Sequence, residues 1–462
     1  MTSARAEALI VSPPEDSAAY AGAVRIVETL RRSGHEAYLV GGCVRDLVMG
    51  SVPDDYDIVT SARPQEVMDL FERTVPVGAA FGVVLVVAGA KGYQVATYRS
   101  DGPYADGRHP VGITYGGVHE DVRRRDFTIN GLLMDPGTGR VIDLVGGLGD
   151  IRNRRVKTIG DPRLRFAEDR LRMLRAVRFA ATLDFFLDPE AVAAIREEAP
   201  LIRGISAERI REELTKILTR RGLRRGMELM METGLLEEIL PEVAALSGVG
   251  QPPDYHPEGD VWEHTLRMLD LMPQHAGPAW EATLAWAVLL HDVGKAVTLH
   301  RDERGVHFYG HDRIGARMAQ EIMGRLRFSN AETEAVLDLI ANHMRFIHVR
   351  EMKTTTLKRF LRMPRFDLHL KLHLLDCLGS HGNLENYEYC LSMLREMPPE
   401  TLSPPRLLTG MDLQDMGFLP GPLFKEILGA VEEAQLEGRV STAEEARRFV
   451  LEHFGDQRRT PP

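Results

Sequence analysis

Apolar residues in the first third of the chain alternate with polar ones or run continuously over short stretches, and both patterns predict strands. Such runs cover Ala37–Val40, Val83–Ala88 and Tyr93–Tyr98, among Gly-rich turns. From Pro162 onward the apolar spacing becomes three, four and seven residues, as in Leu164, Leu171, Leu174 and Val177, which predicts the buried face of a helical region. Ser206 offers an N-cap there, loosely supported by Glu208 in the first turn. A loop rich in Gly, Pro and Asp, Ser247–Gly259, separates this stretch from a histidine-rich one, and Pro398–Pro405 is a second break. The expectation is an α+β chain with a helical lead (1–35), a mixed head (36–160), a helical neck (161–246), a histidine-rich helical domain (247–397) and a helical tail (398–462).

Length and composition agree with several ordinary cores. At roughly 150 residues per domain, 462 residues allow about three. The hydrophobic share of 44% and charged share of 27% belong to a globular chain rather than a disordered one. Cys43, Cys377 and Cys390 have neither an even count nor a paired spacing, which leaves no disulfide framework or thiolate zinc site and fits reducing cytoplasm. Met1–Asp16 lacks the apolar core of a signal peptide, and no apolar run approaches the roughly 18 residues of a membrane span, so neither export nor insertion is expected. The net charge of -10 would argue against a polyanion partner, except that residues 151–180 hold ten Arg or Lys against three Asp or Glu, a local +7. Such a stretch binds nucleic acid through counterion release, or is merely a solvated helix face.

The first chemical constellation opens with Val40-Gly-Gly-Cys-Val-Arg-Asp46, strand into helix, where glycines let backbone N–H groups approach phosphate and Arg45 adds charge. Asp55-Tyr-Asp57 follows, and i, i+2 spacing on a strand points both carboxylates to one side, as a magnesium site in phosphoryl transfer requires. An isolated Asp-x-Asp is more often a polar turn. Here it is followed in order by Arg124-Arg-Asp-Phe-Thr-Ile-Asn130 and by Arg165-Phe-Ala-Glu-Asp-Arg-Leu-Arg-Met-Leu-Arg-Ala-Val-Arg-Phe179.

Over roughly residues 36–240 these motifs make the chain resemble the class II tRNA nucleotidyltransferase and bacterial poly(A) polymerase family. The resemblance implies a head of the DNA polymerase beta type followed by a helical neck and body that hold tRNA. It assigns Mg2+ to Asp55 and Asp57, triphosphate contacts to Gly42 and Arg45, and nucleotide contacts to Arg125, Arg175 and Arg178. It makes Asp169 and Arg172, three apart on an expected helix, the readers of the incoming base. Cytosine and adenine both place an exocyclic amine beside a ring-nitrogen acceptor, so one carboxylate and one guanidinium suit CTP and ATP and reject uracil and guanine. The polar segment Arg99–His109 matches the family's flexible loop and favours CCA or A addition over CC addition alone. The implied activity is addition of CCA to tRNA, with poly(A) polymerase or an A-adding specialist as the alternative.

The second constellation is Tyr255-His-Pro-Glu-Gly-Asp-Val-Trp-Glu-His264, then Leu290-His-Asp-Val-Gly-Lys295, His311, His343 and Asp376. Imidazoles and carboxylates distributed over helices are metal ligands by chemistry, and adjacent His291 and Asp292 after an apolar helix would be costly to bury unpartnered. The order resembles the HD superfamily of metal phosphohydrolases. It implies His264, His291, Asp292 and Asp376 as ligands of a divalent metal (magnesium, manganese, nickel or iron), with His311 and His343 completing a second metal position and His256 less firmly placed. The implied activity is removal of cyclic or terminal phosphates from RNA ends. An RNA-binding HD phosphohydrolase without transferase activity is the rival of another class.

Overall fold

The computed structural model describes residues 9–12, 14, 17–78, 81–102, 112–253, 255–276, 281–303, 305–398, 402 and 405–458. Most of the Arg99–His109 segment, and parts of the N-terminal lead, of Pro398–Pro405 and of the chain's last residues, lie outside that description. The chain is a mixed α+β protein that divides into two compact units, residues 1–244 with 322–328 and residues 245–321 with 329–462.

In the first unit, α1 (Ala18–Arg32) precedes β1 (Ala37–Val40), α2 (Gly42–Val48), β2 (Asp57–Thr60), α3 (Pro64–Leu70), β3 (Thr74–Gly78), β4 (Val83–Ala88) and β5 (Lys91–Thr97). After β6 (Arg99–Asp101) and β7 (Ile113–Tyr115), which pair with each other, come α4 (Val118–Arg123), β8 (Leu132–Met134) and β9 (Val141–Asp143). One sheet runs β3-β4-β5-β2-β1-β8-β9. Alternation along its strands supplies two cores. Leu39, Ile58, Val84, Val86 and Val95 pack with Ile26, Leu30 and Val44 of the helices, while Val40, Val59, Tyr98 and Leu133 meet Val122 on the opposite face. Asp57 is two residues before Val59 and so shares that second face. Antiparallel register sets Asp57 opposite Val40, the last residue before the Gly41-Gly42 turn.

Two expectations fail at one point. The apolar spacing from Leu164 to Val177 reads as a continuous helix, but α5 (Gly147–Arg152) is followed by α6 (Pro162–Glu168) and a separate α7 (Leu171–Leu183), with Asp169 in extended backbone between them. Leu171, Leu174 and Val177 are buried, whereas Leu164, on the other helix, is 63% exposed. Asp169, extended at the end of α6, accepts from the amide of Leu171, the first residue of α7 (3.1 Å), and is not helical. Ser206 does sit at a helix start, but its side chain makes no capping bond.

In the second unit, helices Val261–His275, Ala282–Leu290, Asn330–Asn342 and Phe366–Gly379 pack together. Residues Leu284–Leu290 are buried without exception, which is why this helix shows no polar face and ends directly in His291-Asp292. Two further apolar clusters follow, one around Phe346, Phe360 and Phe366 and one in the tail around Leu413, Ile427 and Val450. Among the described residues no helix is long and apolar enough to cross a membrane.

Because fully buried Ile58 anchors the strand that presents Asp57, Ile58→Ala is expected to destabilise the first unit by about 2–5 kcal/mol. Denaturation followed by circular dichroism measures the loss, and hydrogen exchange should accelerate over residues 37–60.

Candidate functional site

The first site is built around the end of β1. Gly41 has φ 82°, a conformation that glycine adopts freely, and Arg125 Nη1 lies in ordinary contact range of the turn, 3.6 Å from where a Cβ would stand. Asp57 is half-buried and Asp55, just before the strand, is exposed. Burial first, then the Asp55 charge, push the Asp57 carboxyl up to about 6 against the opposing pull of Arg125. The two carboxylates therefore share one electrostatic environment. Their combined charge is the chemistry of a divalent-cation site.

Around the pair lies a chain of arginines held by carboxylates. Arg45 donates to Asn130 Oδ1 (2.7 Å) and to Asp46 Oδ1 (2.7 Å). Asn130 donates to Asp126 (3.2 Å), which also accepts from Arg175 (2.6 Å). Burial raises the Asp126 carboxyl, but Arg175 outweighs it and holds the group at about 2. Buried Asp121 accepts from both Arg124 (2.6 Å) and Arg125 (2.9 Å). The guanidiniums of Arg45, Arg175 and Arg178 surround the Phe179 ring at 5.2, 5.4 and 4.2 Å from its centre. Arg178 is turned inward onto Glu213 (2.6 Å), and Arg175 keeps a third of its side chain exposed.

Asp169 and Arg172 do not sit side by side along a helix. The Arg172 amide donates to the Asp169 carbonyl (3.0 Å) across a turn, Asp169 Oδ2 accepts from Arg209 (2.8 Å), and Arg172 donates to Glu168 (2.5 Å). Asp126, Asn130 and Phe179 stand inside motifs that the sequence displays, yet nothing in spacing alone assigns them partners. Asp121, Arg209 and Glu213 carry no sequence signal. The local +7 of residues 151–180 is also largely neutralised, by Asp150 on Arg155, Asp126 on Arg175, Glu197 on Arg163 and Glu213 on Arg178. Cys43 lies behind the pair, its thiol pushed up to about 12 by burial and by Asp57, so it offers no thiolate.

In the second unit the structure gathers all six expected ligands into two adjoining groups able to hold a metal, His264–His291–Asp376 and Asp292–His311–His343, with a third group of His256, Glu258 and His264. Asp292 stands between the first two: Oδ2 is 3.2 Å from His291 Nε2, and Oδ1 is 3.4 and 3.8 Å from His311 and His343 Nε2. The Nδ1 atoms of His291, His311 and His343 are committed to the carbonyls of Val288 (2.9 Å), Phe308 (2.8 Å) and Ile340 (2.6 Å). Donation from Nδ1 leaves a lone pair on each Nε2, yet the Nε2 atoms of His311 and His343 face each other at 3.3 Å. His264 Nε2, His291 Nε2 and Asp292 Oδ1 are buried without a hydrogen-bond partner. Converging lone pairs and orphaned buried atoms suit a cation and little else, so the residues fit a divalent metal. Lys295, buried and 2.7 Å from both Asp292 Oδ2 and Gln251 Oε1, and Glu258, 2.8 Å from His264 Nδ1, were not singled out by spacing. A cavity of about 490 Å³, lined by Asp292, Lys295, His311, His343 and Asp376, opens over the cluster.

Family models match three segments: the poly A polymerase head domain over residues 37–157, a probable RNA and SrmB-binding site of polymerase A over 184–246, and the HD domain over 261–363. A CCA-adding enzyme of Levilactobacillus brevis is 45% identical over 211 residues, 46% of this chain and 53% of that protein. One from Bacillus licheniformis is 39% identical over 264 residues, 55% of this chain and 65% of that protein. The chain thus spans about half to two thirds of the length of these curated relatives. Among solved structures, the Bacillus stearothermophilus CCA-adding enzyme in complex with CTP has a TM-score of 0.72 at 28% identity, covering 95% of this chain and 98% of that one. The Thermotoga maritima CCA-adding enzyme complexed with tRNA shares the fold at a TM-score of 0.57 and 18% identity, covering 93% of this chain and 94% of that one. Segments of the chain thus match a poly A polymerase head and an HD domain, and the relatives named here are CCA-adding enzymes.

The raised carboxyl of Asp57 gives a signed expectation. Its folded value of about 6 exceeds the ordinary 3.8, so the charged form is disfavoured in the folded chain, and the penalty builds as pH rises from about 4 to 6 and is complete above that. In chelator-treated protein Asp57→Asn should raise stability at pH 7 by up to about 3 kcal/mol. The advantage should vanish below about pH 4, as denaturant titrations across pH will show.

Proposed function

We propose that the chain adds CCA to the 3' end of tRNA from CTP and ATP, releasing pyrophosphate, and that its second unit hydrolyses phosphate esters at RNA ends. The observation that carries the first part is the Asp55–Asp57 pair, whose like charges meet beside the Gly41-Gly42 turn and Arg125. Likeness over nearly the whole chain to an enzyme captured with CTP supports it. In this reading the head comprises residues 36–160, the neck 161–246, the HD domain 247–397 and the tail 398–462.

Mg2+ on Asp55 and Asp57 would supply the Lewis acid for the attacking 3'-hydroxyl and the departing pyrophosphate. The chain's own residues do the positioning. Gly42 at the start of α2 and Arg45 hold the triphosphate, with Arg45 kept in place by Asn130 and Asp46. Arg125, tied to Asp121, contacts the nucleotide from the other side of the turn. Asp169 accepts the exocyclic amine of cytosine or adenine and Arg172 donates to the neighbouring ring nitrogen, while Arg209 and Glu168 hold the two side chains ready. Arg175 adds a nucleotide contact, and Arg178, fixed by Glu213, supports it through Phe179. A cleft of about 1080 Å³ is lined by Arg123, Arg155, Lys157, Arg163 and Arg165 together with Asp150, Asp161 and Glu190, and its excess of basic over acidic side chains would face the tRNA backbone.

In the second unit His264, His291 and Asp376, with Asp292, His311 and His343, would hold divalent ions that acidify a water for attack on phosphorus. Lys295 places a cation beside Asp292 at the cavity wall, where a phosphate oxygen would bind. Nothing in the ligand set selects among magnesium, manganese, nickel and iron.

A tRNA lacking its last three nucleotides, given CTP and ATP singly and together, decides the first proposal: growth should stop after CCA, whereas long A tails would mark a poly(A) polymerase. Asp57→Ala should lower incorporation by about 10²–10³-fold or more; unchanged incorporation would favour an RNA-binding phosphohydrolase with an inert head. For the second unit, hydrolysis of a 2',3'-cyclic phosphate with added Mn2+, Ni2+, Mg2+ or Fe2+ should disappear in His291→Ala while CCA addition persists, and no hydrolysis with any of the four metals sinks that half.

A further inference from the structure

Of the six gathered ligands, His264 differs in how its ring is held. His291, His311 and His343 give their Nδ1 protons to backbone carbonyls. His264 instead gives its Nδ1 proton to Glu258 Oε1 at 2.8 Å, and the same oxygen takes the Nδ1 of His256, also at 2.8 Å. An ionised carboxylate only accepts, so both imidazoles must donate from Nδ1. The two rings stand edge to face with centres 5.1 Å apart, and the Glu258 side chain is 2% exposed. Glu258 lies in the loop before helix Val261–His275, and Gly259, at φ 127°, lets the chain fold back so that this carboxylate reaches the first turn.

Resting on the reading of this cluster as a divalent-metal site, we propose that Glu258 is a positioning residue that locks His264 with its Nε2 lone pair toward Asp376, and fixes His256 beside it at the cavity wall. His264 Nε2 lies 3.2 Å from Asp376 Oδ1 and is a buried atom without a hydrogen-bond partner. A carboxylate behind a ligating imidazole fixes its tautomer and orientation and makes it a stronger donor.

The test uses the full chain with the head silenced by Asp55→Ala and Asp57→Ala, titrated with Co2+ and followed by visible absorption. Glu258→Ala should weaken Co2+ binding by about 10–100-fold and shift the absorption bands. Glu258→Gln, whose amide oxygen accepts a ring N–H but brings no charge, should fall between. A Glu258→Ala protein that titrates like its parent in affinity and spectrum overturns the inference while leaving the metal site standing. Should Glu258→Ala lose its circular-dichroism spectrum, Glu258→Gln decides alone, and unchanged affinity there overturns it equally. A parent protein that takes up no Co2+ removes the metal-site reading and this inference together.

Discussion

Two carboxylates brought together at the mouth of a buried strand repel each other, and the head is arranged around that repulsion. Antiparallel pairing of β1 with β2 fixes Asp57 against the Gly41-Gly42 turn, and the alternation of the strand puts it on the face covered by Val122 and Tyr98 rather than in the larger core. Burial would favour a protonated Asp57, and Arg125 offsets only part of that. A divalent cation would supply the missing charge, and a triphosphate would in turn supply ligands for the cation. The surrounding arginines are each held by a carboxylate or amide, which fixes their side chains in place.

The second unit solves a comparable problem with a different donor set. Backbone carbonyls and Glu258 take the Nδ1 protons of the histidines, so the Nε2 lone pairs converge on one another and on Asp292 and Asp376. Such an arrangement is unfavourable when empty and favourable around a metal, the reverse of an ordinary buried polar network. Both sites are therefore assemblies of groups whose mutual repulsion a bound cation would relieve. They differ in chemistry because one gathers carboxylate oxygens beside a Gly-Gly turn and the other gathers imidazoles around a cavity.

Much of this was legible in the sequence. Strands at Ala37–Val40 and Val83–Ala88 show in their apolar runs, and the order of Gly-Gly, Asp-x-Asp, Arg-Arg-Asp and the histidine set carries the family resemblance. Local pattern misled at Asp169, because Leu164 and Leu171 keep a helical spacing across a junction that only the backbone reveals. The partners of the arginines were invisible for a different reason. Arg175 meets Asp126 from 49 positions away and Asp169 meets Arg209 from 40, and contacts across such separations are set by packing rather than by periodicity. The apparent basic patch shrinks on the same account. Glu258 looked like one acid in a Gly- and Pro-rich loop until the chain's reversal at Gly259 placed it behind His264.

The most direct measurement of the central claim is a crystal structure of the full chain with Mg2+ and a non-hydrolysable CTP analogue. The triphosphate should lie between the Gly41-Gly42 turn and metal bound by Asp55 and Asp57, with the cytosine edge against Asp169 and Arg172. Nucleotide bound elsewhere, or bound there with both aspartates free of metal, would contradict it.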